Sequence, residues 1–389
     1  MNEGTQRSAY GSVLVGLDAH LVRVWACSKT LTTWDSWLTI EGLSDTAARE
    51  MRVRLISALA GVAAGTSMTV RFEGLPPSGA FSPGALDLAA VAAVLRALNV
   101  NLLQGPTANQ EAVFVGEVSL AGGVRPVRGA LSRLAHGPRP YIVPAENEWE
   151  VGLAAHRIEV YAVGSVADLM TPLVRVLPAR LAPHMPHGRE ELPDALLPVF
   201  DAINALPRVL LVGPPGAGTT MLARRLATQA LPLRPSEAAD VVRIHTVAGL
   251  VGSHAPMTLQ RPFRAPHHTV SEVGLIGGGF PVRPGEVSLA HCGVLMLDEL
   301  PEFRRPSLEA LAATLRAGEA TSVRQGEVVR FPAAPLTVVA TATLCPPGSH
   351  YGERVRFDER LQELAALFGM KRVDLPALST VELAKRGAL

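Results

Sequence analysis

The sequence predicts an α/β protein with two domains. Three observations lead to this prediction: a length of 389 residues, a proline-rich segment near the middle of the chain, and a strand, a glycine-rich loop and a helix in succession after it. A chain of this length usually folds as two or three domains, with ample room for hydrophobic cores. Hydrophobic residues make up 48% of it and charged residues 18%, which excludes a disordered or fibrous protein.

The first half of the chain contains both strand-like and helix-like segments. Strand-like composition marks Ser12 to Leu17, Met68 to Phe72 and Ile158 to Ala162, whereas helical periodicity marks Thr46 to Ala60 and Pro83 to Leu98. This pattern predicts a mixed α/β domain over residues 1–171.

A proline-rich segment separates this domain from the rest. Residues 172–207 contain seven prolines and no sustained apolar period, which predicts a linker that ends in a short helix near Glu190 to Ala205. The second domain is therefore expected over residues 208–389.

The second half opens with the pattern of a phosphate-binding loop. Val209 to Val212 form an apolar run, a glycine-rich loop follows, and a helical pattern begins at Met221. Glycines in such a loop permit backbone angles that turn successive N–H groups inward, and the helix presents its positive N-terminus to phosphate. The predicted nucleotide-binding residues are Gly213, Pro214, Pro215, Gly216, Ala217, Gly218, Thr219 and Thr220.

An acidic strand end complements this loop. Gly293 to Leu297 has the composition of a buried strand, and Asp298 and Glu299 follow it directly. In P-loop enzymes the Asp at such a strand end holds Mg²⁺ together with the loop hydroxyl, and the Glu polarises the attacking water. Asp298 and Thr220 are therefore the predicted metal ligands, and Glu299 is the predicted catalytic residue. The expected cofactor is ATP or ADP with Mg²⁺.

Thr219 departs from the loop pattern. In G-x-x-x-x-G-K-[ST] a lysine at this position reaches the β- and γ-phosphates, but the three lysines of this chain lie elsewhere, at positions 29, 371 and 385. Loss of one such charge-stabilising group typically lowers the rate by roughly a hundredfold or more. We therefore expect weak nucleotide binding and severely impaired hydrolysis.

Several longer stretches resemble the magnesium-chelatase-like AAA+ ATPases of the ComM/YifB type. They are Arg261 to Thr269, Gly274 to Gly279, Arg283 to Ala290 and Gly293 to Phe303 in the second half, and Val13 to Leu17, Phe114 to Gly129 and Tyr141 to Ala145 in the first. The resemblance implies an N-terminal α+β domain like ribosomal protein S5 domain 2 and the Lon protease domain, followed by a P-loop AAA+ α/β domain. It also implies ATP-driven hexameric rings and, for the competence members, a helicase that promotes DNA branch migration.

The chain differs from this family at further catalytic positions. The resemblance places the family's sensor asparagine at Thr343 and its arginine finger at Phe368, and only ten residues follow Ser379, too few for the C-terminal helical lid. Together with Thr219, these differences predict a degenerate ATPase with weak or no hydrolysis. The alternative is a non-catalytic pseudo-ATPase that acts as a scaffold or regulatory subunit, in a homo- or hetero-hexamer, for an intact paralogue or another partner.

Other polar residues favour structural roles. His267 and His268 are expected on one strand, where adjacent side chains point to opposite faces, so they do not predict a metal site. Ser119 and Ser132 lie in a domain of Lon-like resemblance, but Lys29 is the sole lysine of that domain, and a Ser-Lys protease dyad is therefore not supported.

Charge and composition bear on partners and location. The formal net charge is +1, so no global field attracts nucleic acid or anionic lipid. Arg125 and Arg128 lie near a glycine turn. Their positions agree equally well with a contact to a partner or DNA and with a solvated loop. No apolar run reaches about 18 residues, and the N-terminus lacks the pattern of a signal peptide, so we expect no membrane contact and a cytoplasmic location. Cys27, Cys292 and Cys345 fit neither a disulfide framework nor a zinc site.

Overall fold

Two principal β-sheets organise the molecule, one built from each half of the chain. The computed structural model describes residues 6–30, 37–62, 66–77, 81–104, 111–135, 137–179, 192–250, 260–324, 326–344 and 351–377. Within these ranges, none of the helices combines the length and the apolar character that crossing a bilayer requires.

The first sheet has eight strands in the spatial order β10-β9-β8-β5-β1-β2-β4-β3. The strands are β1 (Gln6–Val15), β2 (Asp18–Thr30), β3 (Leu38–Glu41), β4 (Thr66–Glu73), β5 (Val113–Phe114), β8 (Tyr141–Pro144), β9 (Val160–Val163) and β10 (Val174–Arg175), and a separate hairpin consists of β6 (Glu117–Val118) and β7 (Val124–Arg125). β1 and β2 pair antiparallel along their length, whereas β1, β5, β8 and β9 pair in parallel. The strands expected near residues 12, 68 and 158 are confirmed.

The helices of the first half pack on this sheet. They are α1 (Asp45–Ala58), α2 (Asp87–Ala97), α3 (Ala130–Arg133) and α4 (Glu148–Gly152), with 3₁₀ turns at Pro83–Leu86, Ala145–Asn147 and Val166–Met170. α2 is buried on nearly all sides, as its alanine-rich sequence requires. It lies very close to β1, because a Cβ added at Gly11 would come within 2.6 Å of Leu86 and 3.0 Å of Ala89.

The second sheet has five strands, all parallel, in the order β12-β15-β18-β11-β19. The strands of the second half are β11 (Arg208–Gly213), β12 (Phe263–Arg264), β13 (Gly277–Gly278), β14 (Arg283–Pro284), β15 (Val294–Leu297), β16 (Glu319–Arg324), β17 (Glu327–Pro332), β18 (Thr337–Thr343) and β19 (Lys371–Asp374). Its helices are α5 (Leu197–Ile203), α6 (Thr219–Gln229), α7 (Pro235–Ala248), α8 (Glu272–Ile276), α9 (Glu286–Leu289), α10 (Arg305–Ala317) and α11 (Tyr351–Phe368), with 3₁₀ turns at Asp194–Leu196 and Leu300–Glu302. The predicted fold class, an α/β chain whose second half is a P-loop domain, is confirmed.

Parallel pairing brings three strand ends to one edge of the second sheet. Gly213, the last residue of β11, pairs with Thr343, the last residue of β18. On the other side of β18, Leu297 at the end of β15 pairs with Ala340. Since ligands of open α/β sheets bind outside the carboxyl ends of the strands, this edge is where the glycine loop and the two acids can act together.

The segment predicted as a linker is divided between the two halves. Val174 and Arg175 pair with β9, so the first sheet extends beyond residue 171. The 3₁₀ turn at Asp194–Leu196 and α5 instead pack with the second half, through Leu196, Phe200 and Ile203, and they confirm the short helix expected near this point. Residues 180–191 lie outside the described residues.

The two halves contact each other through α7. The Arg243 guanidinium on this helix donates to the Leu17 carbonyl oxygen at 3.0 Å and to the Ser132 hydroxyl at 3.3 Å. Val329 and Phe331 of β17 also belong to the hydrophobic core of the first half. The second half therefore supplies both apolar and charged contacts to the first.

Candidate functional site

The loop between β11 and α6 turns sharply at the edge of the second sheet. Gly216 and Gly218 adopt left-handed backbone angles, with φ of 82° and 81°, which residues with side chains rarely adopt. The Ala217 N–H donates to the Pro214 carbonyl oxygen at 3.1 Å, and the Ala217 side chain is buried in the core beneath the loop. Pro215 and Gly216 are exposed, so the apex of the loop is accessible to a ligand.

The loop has the geometry of an anion cradle. A Cβ added at Gly216 would meet no heavy atom within 4 Å, whereas one added at Gly213 would lie 2.9 Å from the Ala217 Cβ. Gly213 thus lets the loop close on the strand end, while the space around Gly216 stays open. α6 begins at Thr219 and runs for 11 residues, so the positive end of its dipole and its unpaired first-turn N–H groups lie at the loop. These residues fit a phosphate group.

The cradle depends on backbone groups because it has no cationic side chain. The eight residues from Gly213 to Thr220 include neither lysine nor arginine. Thr219, in the lysine position, is half-buried, and Thr220 is exposed in the first turn of α6. The loop can therefore donate hydrogen bonds to phosphate, but it contributes only the partial charge of the helix end.

Asp298 lies at the carboxyl end of β15, where a threonine of the neighbouring strand holds it. The Thr341 hydroxyl donates to Asp298 Oδ1 at 2.7 Å and accepts a hydrogen bond from the Glu299 N–H at 2.9 Å. Asp298 is exposed, so its carboxylate is both oriented and open to solvent. The Asp298 carboxylate and the Thr220 hydroxyl are oxygen groups of the kind that Mg²⁺ binds, so their chemistry suits the ion that the sequence predicts here.

Glu299 is held through both of its carboxylate oxygens. The Thr343 N–H donates to Glu299 Oε2 at 3.1 Å, and the Thr343 hydroxyl donates to Oε1. The backbone of Glu299 is left-handed, with φ 53° and ψ 60°, a conformation that costs a side-chain-bearing residue about 1–2 kcal/mol. Such strain persists where surrounding contacts impose it, and here Thr341 and Thr343 supply those contacts.

The position assigned to the arginine finger lies in the interior. Phe368 is 1% exposed and packs in the core of the second half with Leu361 and Leu364, and its carbonyl oxygen accepts a hydrogen bond from Arg208 at 2.8 Å. A side chain at this position faces the protein's own core, so it does not extend towards a neighbouring subunit. The segment after Ser379, on which the lid prediction rests, lies outside the described residues.

The paired histidines do not lie on one strand, and the prediction that they point to opposite faces is wrong. His267 and His268 belong to an irregular segment that ends in a turn, and their ring centroids are 4.0 Å apart at an angle of 35°. A turn permits neighbouring side chains to converge, which strand alternation forbids. Among the described residues, no group of three or more His, Cys, Asp or Glu side chains could hold a metal ion.

The two serines of the first half have structural hydrogen bonds. The Ser119 hydroxyl accepts from the Gly123 N–H at 3.0 Å, and the Ser132 hydroxyl accepts from Arg243 at 3.3 Å. Both contacts fix local geometry, one within a turn and the other between the two halves. They agree with the structural role that the sequence favours for these residues.

Cys27 and Cys292 are free thiols in the described part of the chain, whereas Cys345 lies outside it. Burial raises the pKa of Cys292 to about 11. Since the thiolate is the nucleophile and metal ligand, Cys292 is an unreactive thiol at neutral pH.

Thr341 is the site residue that the sequence reasoning missed. A signal for it exists in the strand itself, because Thr341 and Thr343 are two residues apart in β18 and thus lie on the same face. Two threonines on one face at the end of a strand that borders an acidic strand end could have been recognised as partners of the acids. The pairing register that brings them to Asp298 and Glu299 was not available from the sequence.

Comparison with known proteins identifies the family of this chain. Residues 202–383 match the family described as magnesium chelatase, subunit ChlI, and residues 30–147 match the family described as subunit ChlI of Mg-chelatase. The first match contains the glycine loop and both acids.

Individual relatives cover most of this chain. An uncharacterised protein of Mycobacterium tuberculosis strain H37Rv is 35% identical over 355 residues, which is 87% of this chain and 69% of the relative. The uncharacterised protein YifB of Escherichia coli K12 is 33% identical with the same shares of each chain. The competence protein ComM of Haemophilus influenzae is 30% identical, and the match covers 89% of this chain and 70% of ComM. Among solved structures, NtrX from Brucella abortus in complex with ADP is 20% identical with a TM-score of 0.34, over 50% of this chain and 40% of NtrX.

Proposed function

Because the chain belongs to the magnesium-chelatase-like ComM/YifB family, we propose that it binds ATP or ADP with Mg²⁺ at the glycine loop and hydrolyses ATP weakly or not at all. The observation that carries this proposal is an intact backbone cradle that has threonine, Thr219, where the loop pattern has lysine. Binding needs the cradle, whereas rapid phosphoryl transfer also needs the missing charge.

The binding step is supported by the backbone of the loop and the start of α6. The left-handed glycines Gly216 and Gly218 turn the loop so that its N–H groups and the helix dipole are available to phosphate oxygens. Asp298 and Thr220 would hold the Mg²⁺, which supplies positive charge next to the β- and γ-phosphates when it is bound. Without a lysine at position 219, the metal ion supplies most of that charge, and we expect affinity to depend strongly on Mg²⁺.

The hydrolysis step is weakened at two places. Loss of the lysine removes a charge that stabilises the transition state, which is worth roughly a hundredfold or more in rate. In addition, Thr343 donates to both carboxylate oxygens of Glu299. A general base must accept a proton from water, and Thr343 occupies one acceptor position on each Glu299 oxygen, so fewer lone pairs remain for that water. The burial of Phe368, in the arginine-finger position, is consistent with the same outcome.

The second candidate function is a non-catalytic scaffold or regulatory subunit. The same substitution at position 219 favours it, because a subunit that receives its chemistry from a partner does not need the lysine. In this proposal the chain joins a homo- or hetero-hexamer, with an intact paralogue or another protein as its partner. DNA is proposed as a ligand of the assembled ring on the family resemblance that the sequence shows, and a steep loss of DNA affinity with added salt would support phosphate contacts in that ring.

Calorimetric titration of the full chain with ATP and ADP, each with and without Mg²⁺, tests the first proposal. We expect saturable binding that is stronger with Mg²⁺, together with little or no phosphate release in a steady-state assay. Asp298→Asn is the matched variant, because it should abolish the gain from Mg²⁺ and leave metal-free affinity unchanged. Absence of binding at millimolar ATP would reject the first proposal and leave the scaffold function.

A further inference from the structure

A cavity of about 320 Å³ lies between the two halves of the molecule, and it shares no residue with the glycine loop. Its charged lining residues are Glu117, Arg128 and Arg133 from the first half and Arg283 from the second. Three guanidinium groups therefore face one carboxylate across a space large enough for a small ligand.

Arg133 is the deepest of these groups. It is 5% exposed, and its Nη1 donates to the Ser12 carbonyl oxygen at 2.5 Å. Its Nε has no hydrogen-bond partner. Burial lowers the pKa of Arg133 to about 10, which still leaves the group charged at neutral pH. A buried, charged N–H without an acceptor is strongly unfavourable, so the structure has an unmet need for an acceptor at this point.

Arg128 and Arg283 add positive charge at the rim of the cavity. Both are exposed, and neither forms an ion pair with another described residue. Arg128 packs against the backbone of Gly249 in the second half, where an added Cβ would lie 2.9 Å from Arg128 Nε. A glycine at position 249 thus permits Arg128 to lie flat against the other half, with its guanidinium at the cavity.

Glu117 does not neutralise the arginines. Its nearest ion-pair partner is Arg125, at 4.0 Å, and Arg125 does not line the cavity. Outside the lining, the buried Glu150 offsets part of the Arg133 charge, but Arg128 and Arg283 form no ion pair with another described residue, so the lining carries a net positive charge. A water molecule would satisfy the hydrogen bond of Arg133 Nε, but it would not balance this charge, whereas an anionic oxygen would do both.

We propose that this cavity is a binding site for a small phosphate-bearing ligand that contacts both halves of the molecule. Guanidinium groups suit phosphate because they offer paired N–H donors in a planar fork. Arg133 contributes the buried donor, and Arg128 and Arg283 contribute donors from the first and the second half. The ligand would contact both the segment between β7 and α3, which contains Arg128, and the β13–β14 hairpin, which contains Arg283. It would thereby link the N-terminal domain to the P-loop domain.

Titration of the full chain with inorganic phosphate, followed by calorimetry at constant ionic strength, tests the site. Arg283→Gln removes one exposed charge and should weaken phosphate binding by about tenfold or more. Glu117→Gln removes the opposing carboxylate and should strengthen binding. Arg49→Gln is the control, since Arg49 is exposed on α1 outside the cavity, and it should leave affinity unchanged.

Opposite effects of Arg283→Gln and Glu117→Gln would support the cavity, because damage to the fold would weaken binding in both variants. Phosphate binding that neither variant alters would place the anion elsewhere, the glycine loop included, and would overturn the proposal. So would an absence of phosphate binding by the unmodified chain. A short duplex DNA added as competitor identifies the source: displacement of phosphate that depends on Arg283 indicates a nucleic-acid backbone, and no displacement indicates a free phosphate ester.

Discussion

A buried carboxylate in the first half of the molecule and the two site acids in the second half lie in different environments. In the first half, Asp87 is fully buried and forms a two-point ion pair with Arg54, at 2.6 Å and 3.0 Å. In the second half, Asp298 is exposed and Glu299 is half-buried, and both accept hydrogen bonds from neutral threonines. An acid with a fixed cation has its charge balanced within the fold, whereas an acid with neutral donors keeps its charge for a ligand.

This contrast distinguishes acids with a structural role from acids with a functional role on the basis of their environment alone, without a comparison with related proteins. Burial makes an unpaired charge very unfavourable, so a buried carboxylate needs a cation or several hydrogen-bond donors. Asp87 has Arg54, and the buried Glu150 has the Leu131 N–H and Asn147. A carboxylate at the open edge of a parallel sheet has no such need, and neutral donors can orient it while leaving its charge available to a metal ion. The predictions below test both sides of this contrast.

The largest effect is expected when the buried pair is broken. Arg54→Met leaves the Asp87 carboxylate buried without its cation and should lower the free energy of unfolding by about 3–5 kcal/mol. Arg71→Met is the control, because Arg71 pairs with Glu41 at the same distance of 2.6 Å but both side chains are largely exposed, and its loss should cost less than about 1 kcal/mol. Chemical denaturation at pH 7.5 measures both. Equal losses would show that burial does not distinguish the two pairs.

The pH dependence of stability should reveal the same buried acid. Burial raises the pKa of Asp87 from 3.8 to about 6, although Arg54 opposes this shift. Between these two pH values the folded state retains a proton that the unfolded chain has released. The contribution of Asp87 is therefore greatest below pH 3.8 and is lost as the pH rises through about 6, by about 2–3 kcal/mol in all.

Denaturation of the unmodified chain and of Asp87→Asn over this pH range isolates that contribution, because asparagine does not titrate. The stability of the unmodified chain relative to Asp87→Asn should fall as the pH rises from about 4 to about 7. A difference that stays constant, or that grows with pH, would mean that pairing with Arg54 outweighs burial.

On the functional side, the phosphate cradle should respond to a restored cation. Thr219→Lys should raise ATP affinity by about tenfold or more, since a hydrogen bond to a charged group is worth about 1.5–3 kcal/mol. Thr219→Met has similar length without charge and should give no such gain. We expect no steady turnover from Thr219→Lys, because Thr343 and Phe368 still stand at the positions of the sensor asparagine and the arginine finger. Steady phosphate release by this variant would show that Asp298 and Glu299 already support hydrolysis in their present arrangement.

The sequence predicted the parts of the site that depend on local pattern. The strand before Gly213, the loop itself and the acids after β15 all follow from short-range periodicity and glycine placement. The contact from Thr341 to Asp298 depends on strand register, and it joins residues 43 positions apart. The hydrogen bond from buried Arg133 to the Ser12 carbonyl oxygen joins residues 121 positions apart.

One local prediction failed for a different reason. The strand expected for His267 and His268 assumed that the segment continues in extended form, but β12 ends at Arg264 and a turn follows. Two prolines stand close by, at positions 262 and 266, and the second cannot donate to a strand ladder. The proline at position 266 was therefore the available signal that the strand stops before the histidines.

The smallest effect is expected from the neutral donor that orients Asp298. Thr341→Val keeps the shape of the side chain but removes the hydroxyl that joins Asp298 and the Glu299 N–H, at a cost of about 1 kcal/mol in the Mg²⁺-dependent part of nucleotide affinity. Thr337→Val is the control, because Thr337 lies on the same face of β18 at its opposite end. Calorimetry with and without Mg²⁺ compares the two. If Thr341→Val lowered metal-free affinity equally, Thr341 would support the loop as a whole, and the view that neutral donors prepare Asp298 for a metal ion would be wrong.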